Sequence, residues 1–183
     1  MAPETATLPE AEWFAEVVRD LERPLLRYAF TLIRDYDRAK DAVQETFLEL
    51  VKCAAKVDHG RPAPWLFTVC RARSVDRVRK EMRMKAQSTV ELAERPSQVA
   101  PPDTAILALE ASAEAARLLG LLPEREQEVV RLKFQEELSY KEIADVTGHS
   151  VSHVGVMIHN AIQRLRKELD AAGTSQVSTR SSQ

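Results

Sequence analysis

Apolar residues recur every three or four positions along most of this 183-residue chain, and that spacing is the period of an α-helix. Apolar and polar residues do not alternate as they would in a half-buried strand. The five glycines are also too few for the many turns of a β-sandwich or barrel. Since 44% of the residues are apolar, the chain can bury at least one core. The sequence therefore predicts an all-α fold.

Changes in composition predict two small helical domains joined by a linker. Residues 1–9 are expected to form a disordered leader, and residues 10–85 the first domain. Residues 86–102 contain Ser, Glu and Pro with a weak apolar signal, which is typical of a flexible linker. The second domain is expected over residues 103–172, and a Ser/Thr/Gln-containing disordered tail over residues 173–183.

The same periodicity predicts the helices within each domain. The first domain is expected to hold three, with Asp37 as the N-cap of the second, which runs to about Val57, and a Gly/Pro-containing loop over residues 58–64. The second domain is expected to hold four helices, starting near residues 103, 124, 140 and 151.

Enzymatic, metal-binding and membrane functions are not predicted. The apolar runs are too short for a membrane span, and the first residues lack the basic and apolar regions of an export signal, so a cytoplasmic protein is expected. Cys53 and Cys70 form no Cys-x-x-Cys pair and are interpreted as small buried residues. His149 and His153 have a metal-compatible spacing, but no cysteine or carboxylate converges with them in the sequence. Neither a phosphate-binding glycine loop nor a nucleophile elbow is present, so no cofactor is expected.

A helix-turn-helix is predicted in the two helices that start near residues 140 and 151. Ser139 and Glu142 have the spacing of a capping box. Ala144 is small where two helices would touch, Gly148 stands where the backbone would turn, and Val154 would anchor the second helix. An ordinary αα-hairpin, the alternative, would not require the small residue and the glycine together.

The second helix of this motif is expected to bury an apolar stripe of Val151, Val154, Ile158, Ala161 or Ile162, Leu165 and Leu169. The outward face then consists of Ser152, His153, Val156, His159, Asn160 and Gln163. These side chains can meet base edges or phosphates. Because no Lys or Arg precedes Arg164 in this helix, its electrostatic attraction for DNA is expected to be weak.

Two stripes are predicted on the second helix of the first domain. Val43, Phe47, Leu50, Val51 and Ala54 would face the core. A second stripe combines acids, an amide and an apolar side chain: Asp41, Gln44, Glu45, Leu48 and Lys52. A polar stripe is usually only solvated surface, but an exposed leucine among acids is typical of a face that docks on a partner helix.

The third helix is strongly basic. It is expected to bury Trp65, Leu66, Val69, Ala72, Val75, Val78 and Met82, and to direct Arg73, Arg77 and Lys80 away from that stripe. Between residues 61 and 85, eight cations stand against two carboxylates, Asp76 and Glu81. Because this surplus occurs in a chain of net charge -2, it indicates a nucleic-acid surface rather than an ordinary solvated face.

Two sets of motifs resemble bacterial sigma factors. Residues 41–48 (DAVQETFL), 64–67 (PWLF) and 75–80 (VDRVRK) resemble sigma region two. Residues 121–129 (LLPEREQEV) and 138–144 (LSYKEIA) resemble region four. Both regions occur in order with a short linker and no third domain between them, which is the layout of the extracytoplasmic-function subgroup.

The resemblance implies partners and site residues. The β′ clamp helices of core RNA polymerase would bind Asp41, Gln44, Glu45, Leu48 and Lys52. The promoter −10 element would be bound and melted by the loop 58–64 and the third helix, through Arg61, Arg71, Arg73, Arg77, Arg79, Lys80 and Arg83. The −35 element would meet Ser150, Ser152, His153, Val156, His159 and Asn160. The β flap would bind the apolar cleft of the second domain, and an anti-sigma factor is expected as a regulatory partner.

This chain departs from the family pattern at two places. Ala72 follows Arg71 where the family often has asparagine, and Gly155 and Met157 stand near positions that commonly carry Lys or Arg. The second departure predicts an unusual −35 preference or readout of DNA shape. Two other function classes also remain: a helix-turn-helix regulator that acts without polymerase, and a sigma mimic that titrates an anti-sigma factor.

Overall fold

The computed structural model describes residues 8–87 and 113–178, and all regular structure in these two ranges is helical. The chain divides into two compact units. The predicted all-α fold is confirmed. Four expectations lie outside the described residues: those for residues 1–7, for the linker from residue 88 onward, for the helix start near Asp103 and for residues 179–183.

Three helices form the first unit: α1 (Leu8–Ile33), α2 (Tyr36–Cys53) and α3 (Ala63–Gln87). Helix α1 continues through Pro24, and α2 is followed by one 3-10 turn, Ala54–Lys56. Each helix packs against the other two. Their contact buries a core in which Tyr28 and Phe67 meet edge to face, with ring centroids 5.3 Å apart.

The start of α2 differs from the sequence prediction. Asp35, not Asp37, is the N-cap: its carboxylate accepts a hydrogen bond from the backbone N–H of Arg38 at 3.0 Å. Arg34 takes the left-handed conformation with φ 61°, which reverses the chain immediately after α1. The turn is therefore two residues shorter than predicted, and Tyr36 is the first helical residue.

Helices α4 (Ala113–Gly120), α5 (Glu124–Phe134), α6 (Tyr140–Thr147) and α7 (Val151–Ser178) form the second unit. Their core includes Leu132, Leu138, Ile143, Val154 and Ile158, all of which are almost fully buried. Helix α7 extends beyond residue 172, where the sequence predicted the domain to end. No proline stands between residues 171 and 178 to stop the helix.

Candidate polymerase- and DNA-binding surfaces

The predicted docking stripe lies on the exposed face of α2. Asp41, Gln44, Glu45, Leu48 and Lys52 are all exposed, and Leu48 retains 61% of its accessible surface. An exposed leucine bordered by charged side chains can enter a partner pocket while the charges fix its orientation. The structure therefore brings these five residues together on one accessible surface.

Val51 does not belong to the core, as the sequence predicted, because it is 62% exposed. It borders an open apolar groove between α1 and α2, which is also lined by Phe14, Val18 and Phe47. Phe47 itself is only half-buried. The second helix contacts α1 and α3 mainly through Ala39, Ala42, Val43, Thr46 and Leu50. The apolar surface beside Leu48 is consequently larger than the periodicity suggested.

The loop between α2 and α3 is held by hydrogen bonds within residues 58–61 and by a contact with α1. The Asp58 carboxylate accepts a hydrogen bond from the Gly60 N–H at 2.9 Å, and the Arg61 N–H donates to the Asp58 carbonyl at 3.0 Å. The Trp13 ring stacks on His59 with centroids 4.1 Å apart and planes 19° apart. The Trp13 indole N–H also donates to the His59 carbonyl at 3.0 Å. Sequence reasoning missed this role because Trp13 lies 46 residues from the loop.

The buried face of α3 is not the one the sequence predicted. Leu66, Phe67, Cys70 and Ser74 are buried, whereas Ala72 and Met82 are exposed. The predicted buried face is rotated about the axis of α3 relative to the observed one. The prediction followed an apolar pattern along the helix and left out Cys70 and Ser74. The actual core is partly polar there, and it places Arg73 and Arg77 beside α2.

Acidic side chains of α2 pair with these two arginines. A nitrogen of the Arg77 guanidinium lies 2.6 Å from a Glu45 carboxylate oxygen, and another lies 3.7 Å from Asp41. Arg73 lies 3.2 Å from Glu49. Two of the eight cations counted over residues 61–85 therefore have acidic partners on α2. The count did not show these partners because they belong to a different helix.

The remaining predicted cations of this unit have more open positions. Arg61 in the loop and Arg79, Lys80 and Arg83 on α3 are exposed, and Arg71 is half-buried. Arg79, Lys80 and Arg83 therefore form a cationic edge that faces solvent in the last turns of α3. This edge supplies the point charges that a phosphate backbone requires.

The helix-turn-helix is confirmed in its local geometry. The Ser139 hydroxyl accepts from the Glu142 N–H at 3.3 Å, and the Glu142 carboxylate accepts from the Ser139 N–H at 2.7 Å. Gly148 ends α6 in the left-handed conformation with φ 74°, and Ala144 and Val154 are buried. The Ser150 hydroxyl accepts from the His153 N–H at 3.2 Å and so caps α7.

The outward face of α7 agrees with the prediction, whereas its buried stripe is corrected at three positions. Ser152, His153, Val156, His159, Asn160 and Gln163 are exposed. Val151 and Leu169 are each 48% exposed, and Met157 is buried instead. Within residues 151–170, the buried residues of α7 run from Val154 to Ala161, in the first half of the helix, so Val151 and Leu169 lie outside the buried stripe. A buried Met157 also explains why no cation can stand at that position.

The two cysteines of the first unit differ in burial. Burial raises the pKa of the Cys70 thiol to about 12, so this thiol is not a nucleophile at neutral pH. Both cysteines are free, and Cys53 is half-buried. The described residues contain no group of three or more His, Cys, Asp or Glu side chains that could hold a metal ion. Among them, no helix is long and apolar enough to cross a membrane.

One unit has an exposed stripe and a basic helix, and the other has a helix-turn-helix, an arrangement typical of two-domain DNA-binding proteins. Comparison with known families identifies the family of this protein. The family model of sigma-70 region 2 matches residues 17–84, and that of sigma-70 region 4 matches residues 112–165. The chain belongs to the sigma-70 family of RNA polymerase sigma factors, in its extracytoplasmic-function (ECF) subgroup.

Related proteins support this assignment along most of the chain. The ECF RNA polymerase sigma factor SigD of Mycobacterium tuberculosis (strain ATCC 25618 / H37Rv) is 29% identical over 164 residues, covering 86% of this chain and 77% of SigD. The ECF RNA polymerase sigma factor SigW of Bacillus subtilis (strain 168) is 26% identical over 165 residues, covering 85% and 88%.

Two solved structures share the fold. CnrH, in complex with the cytosolic domain of CnrY, has a TM-score of 0.54 at 26% identity and covers 86% of this chain and 88% of its own. The sigma factor RpoE in complex with the anti-sigma factor NepR from Bartonella quintana has a TM-score of 0.60 at 24% identity, covering 87% and 97%.

Proposed function

We infer that this chain is a dissociable initiation subunit of bacterial RNA polymerase. It binds the core enzyme and directs promoter recognition, melting of the −10 element and transcription initiation. The observation that carries this inference is the presence in one chain of a region 2 with an exposed docking stripe and a region 4 with a formed helix-turn-helix. The chain contributes binding surfaces rather than catalytic groups, and this function places it in the cytoplasm with the polymerase.

We propose that the docking stripe of Asp41, Gln44, Glu45, Leu48 and Lys52 binds the β′ clamp helices. Leu48 is the apolar anchor, because it is the most apolar member of the stripe and is exposed without a partner helix. The surrounding carboxylates favour a partner with basic side chains. Val51 and the adjoining groove extend the apolar surface on the same side of α2.

The −10 element is proposed to meet the loop after α2 and the cationic edge of α3. The Trp13–His59 stack holds the loop in a defined shape, which lowers the conformational cost of capturing an unstacked base. Cations of the loop and helix bind the backbone of the melted strand: Arg61, Arg71, Arg79, Lys80 and Arg83. Arg73 and Arg77 belonged to the same predicted set, but their guanidinium groups are engaged with α2.

Region 4 is proposed to read the −35 element with Ser150, Ser152, His153, Val156, His159 and Asn160, and to bind the β flap through its apolar cleft. The hydroxyl, imidazole and amide groups can hydrogen-bond bases, and Val156 can contact a thymine methyl. No Lys or Arg lies among them, so this unit binds DNA weakly unless the polymerase holds it at the promoter. An anti-sigma factor is proposed as a further partner, as RpoE has in its complex with NepR.

Capture of purified core RNA polymerase in the absence of DNA tests the function. The wild-type chain is compared with the double variant Leu48→Asp plus Gln44→Ala, and with Met82→Asp as a matched apolar-to-acid control. Met82 is 66% exposed on α3 and lies outside the docking stripe. We expect the wild type and the control to bind alike and the double variant to bind at least ten-fold more weakly.

Run-off transcription on a genomic promoter library completes the test. Discrete transcripts that depend on the added chain are expected. If the folded wild type captures no core enzyme, the function is refuted. DNA binding without core enzyme would then indicate a stand-alone regulator, and capture of an anti-sigma factor alone would indicate a sigma mimic.

A further inference from the structure

Ion pairs at one-turn intervals join α2 to α3 along their length. Arg38 on α2 pairs with Glu81 on α3. One turn further along, Arg77 pairs with Asp41 and Glu45, and the next turn pairs Arg73 with Glu49. Within this ladder the sign of the charges reverses once: the arginine is on α2 in the first pair and on α3 in the others.

Arg77 occupies a special position in the ladder. Its side chain is only 25% exposed, whereas Asp41 and Glu45 are 61% and 47% exposed. The Arg77 side chain is thus less exposed than either carboxylate, and its Nε atom is buried. Both carboxylates belong to the proposed docking stripe. A single planar cation therefore hydrogen-bonds the Glu45 carboxylate and lies within ion-pair distance of Asp41, and both carboxylates remain accessible to a partner.

This placement argues against a direct contact of Arg77 with DNA. To reach a phosphate, the guanidinium would have to leave both carboxylates and expose two unpaired acids beside the DNA backbone, which like charges disfavour. Arg79, two residues further along α3, is exposed, so its guanidinium can reach a phosphate without this rearrangement. Arg77 is instead suited to holding the Asp41 and Glu45 carboxylates, because the planar guanidinium has several N–H donors in a fixed arrangement.

We propose that Arg77 is a positioning residue for polymerase docking rather than a promoter contact. It holds the Asp41 and Glu45 carboxylates in fixed positions on α2, so that fewer rotamers are lost when basic groups of the core enzyme bind them. The inference rests on the proposed function, since it assigns the support of the docking stripe.

A double-mutant cycle on the full chain tests the proposal, with core-enzyme affinity measured in the absence of DNA. Arg77→Met is expected to weaken core binding about five-fold, and Arg77→Lys, which keeps the charge but loses the fork, by less. Lys85→Met is the matched control, because Lys85 forms an ion pair on the same helix, 2.7 Å from Glu81, away from the stripe. It is expected to change the affinity less than two-fold.

The cycle separates positioning from a general effect on folding. In the background Asp41→Asn plus Glu45→Gln there are no carboxylates to hold, so Arg77→Met is expected to cost nothing further. An equal loss in both backgrounds, or unchanged or tighter core binding by Arg77→Met, overturns the proposal. If Arg77→Met does not fold, as judged by tryptophan fluorescence, Arg77→Lys takes its place in the cycle. Failure of the wild type to bind core enzyme refutes the proposed function instead, and the wild-type measurement alone reveals it.

Discussion

Two glycines of the helix-turn-helix are expected to respond in opposite directions when each is replaced by alanine. Gly148 ends α6 at φ 74°, and an added Cβ there would have no atom within 4 Å. Gly155 lies inside α7, and an added Cβ would lie 3.7 Å from the Tyr140 ring. Neither substitution causes a steric clash, so the backbone alone decides the sign of each effect.

The magnitudes follow from backbone preferences. An L-residue in the left-handed region costs about 1 kcal/mol or somewhat more, so Gly148→Ala should destabilise the unit by roughly that amount. Alanine in a helix interior is favoured over glycine by about 0.8–1.0 kcal/mol, so Gly155→Ala should stabilise it by about 0.5–1 kcal/mol. The two variants should differ by roughly 2 kcal/mol, about 30-fold in the opening equilibrium of this motif.

Amide hydrogen exchange within α6 and α7 measures these free energies directly. Tryptophan fluorescence would not, because Trp13 and Trp65 both lie in the first unit. Relative to wild type, exchange should be faster in Gly148→Ala and slower in Gly155→Ala. If Gly148→Ala exchanged no faster than wild type, or Gly155→Ala exchanged faster, the backbone argument would be refuted.

Three further outcomes are expected in the first unit. Because burial raises the pKa of Cys70 to about 12, iodoacetamide at pH 8 should alkylate Cys53 and leave Cys70 intact by mass spectrometry; alkylation of both in the folded chain would contradict this. Trp13→Ala removes one stack and one hydrogen bond, about 1–2 kcal/mol, and should speed amide exchange in residues 57–61 at least five-fold. Hydrogen bonding from Lys85 lowers the pKa of Glu81. The ionised Glu81 carboxylate therefore contributes about 0.5 kcal/mol to the stability of the fold at neutral pH, and this contribution is lost as the pH falls through the lowered pKa. Glu81→Gln should consequently lose less stability on acidification than the wild type.

Local chemistry made the helix-turn-helix predictable from sequence. The capping box, the small residue and the turn glycine act over three to ten residues, and each does what its spacing indicated. The outward face of α7 followed because the helix start was fixed by Ser150. Position 157 was harder to assign, because a methionine can lie on the rim of a core or inside it.

Non-local packing limited the prediction for the first unit. The rotation of α3 was misjudged because its core contacts include Cys70 and Ser74, which an apolar pattern does not count. The bracing of the loop by Trp13 depends on the fold of α1 against that loop. A signal for the ladder was present, however: acids at 41, 45 and 49 and arginines at 73 and 77 repeat at four-residue intervals.

The ladder changes how the charge of α3 should be counted. A stretch with eight cations and two carboxylates indicates a strong field when it is considered alone. In the folded unit, Arg73 and Arg77 face acids of α2, so two members of the predicted seven-residue DNA-binding set are already neutralised. Each cation that meets a phosphate adds about 0.7–0.9 to the salt dependence of binding. Pairing with α2 therefore removes roughly 1.4–1.8 from the slope that the sequence alone implies, and concentrates the remaining attraction at the loop and the exposed edge of α3.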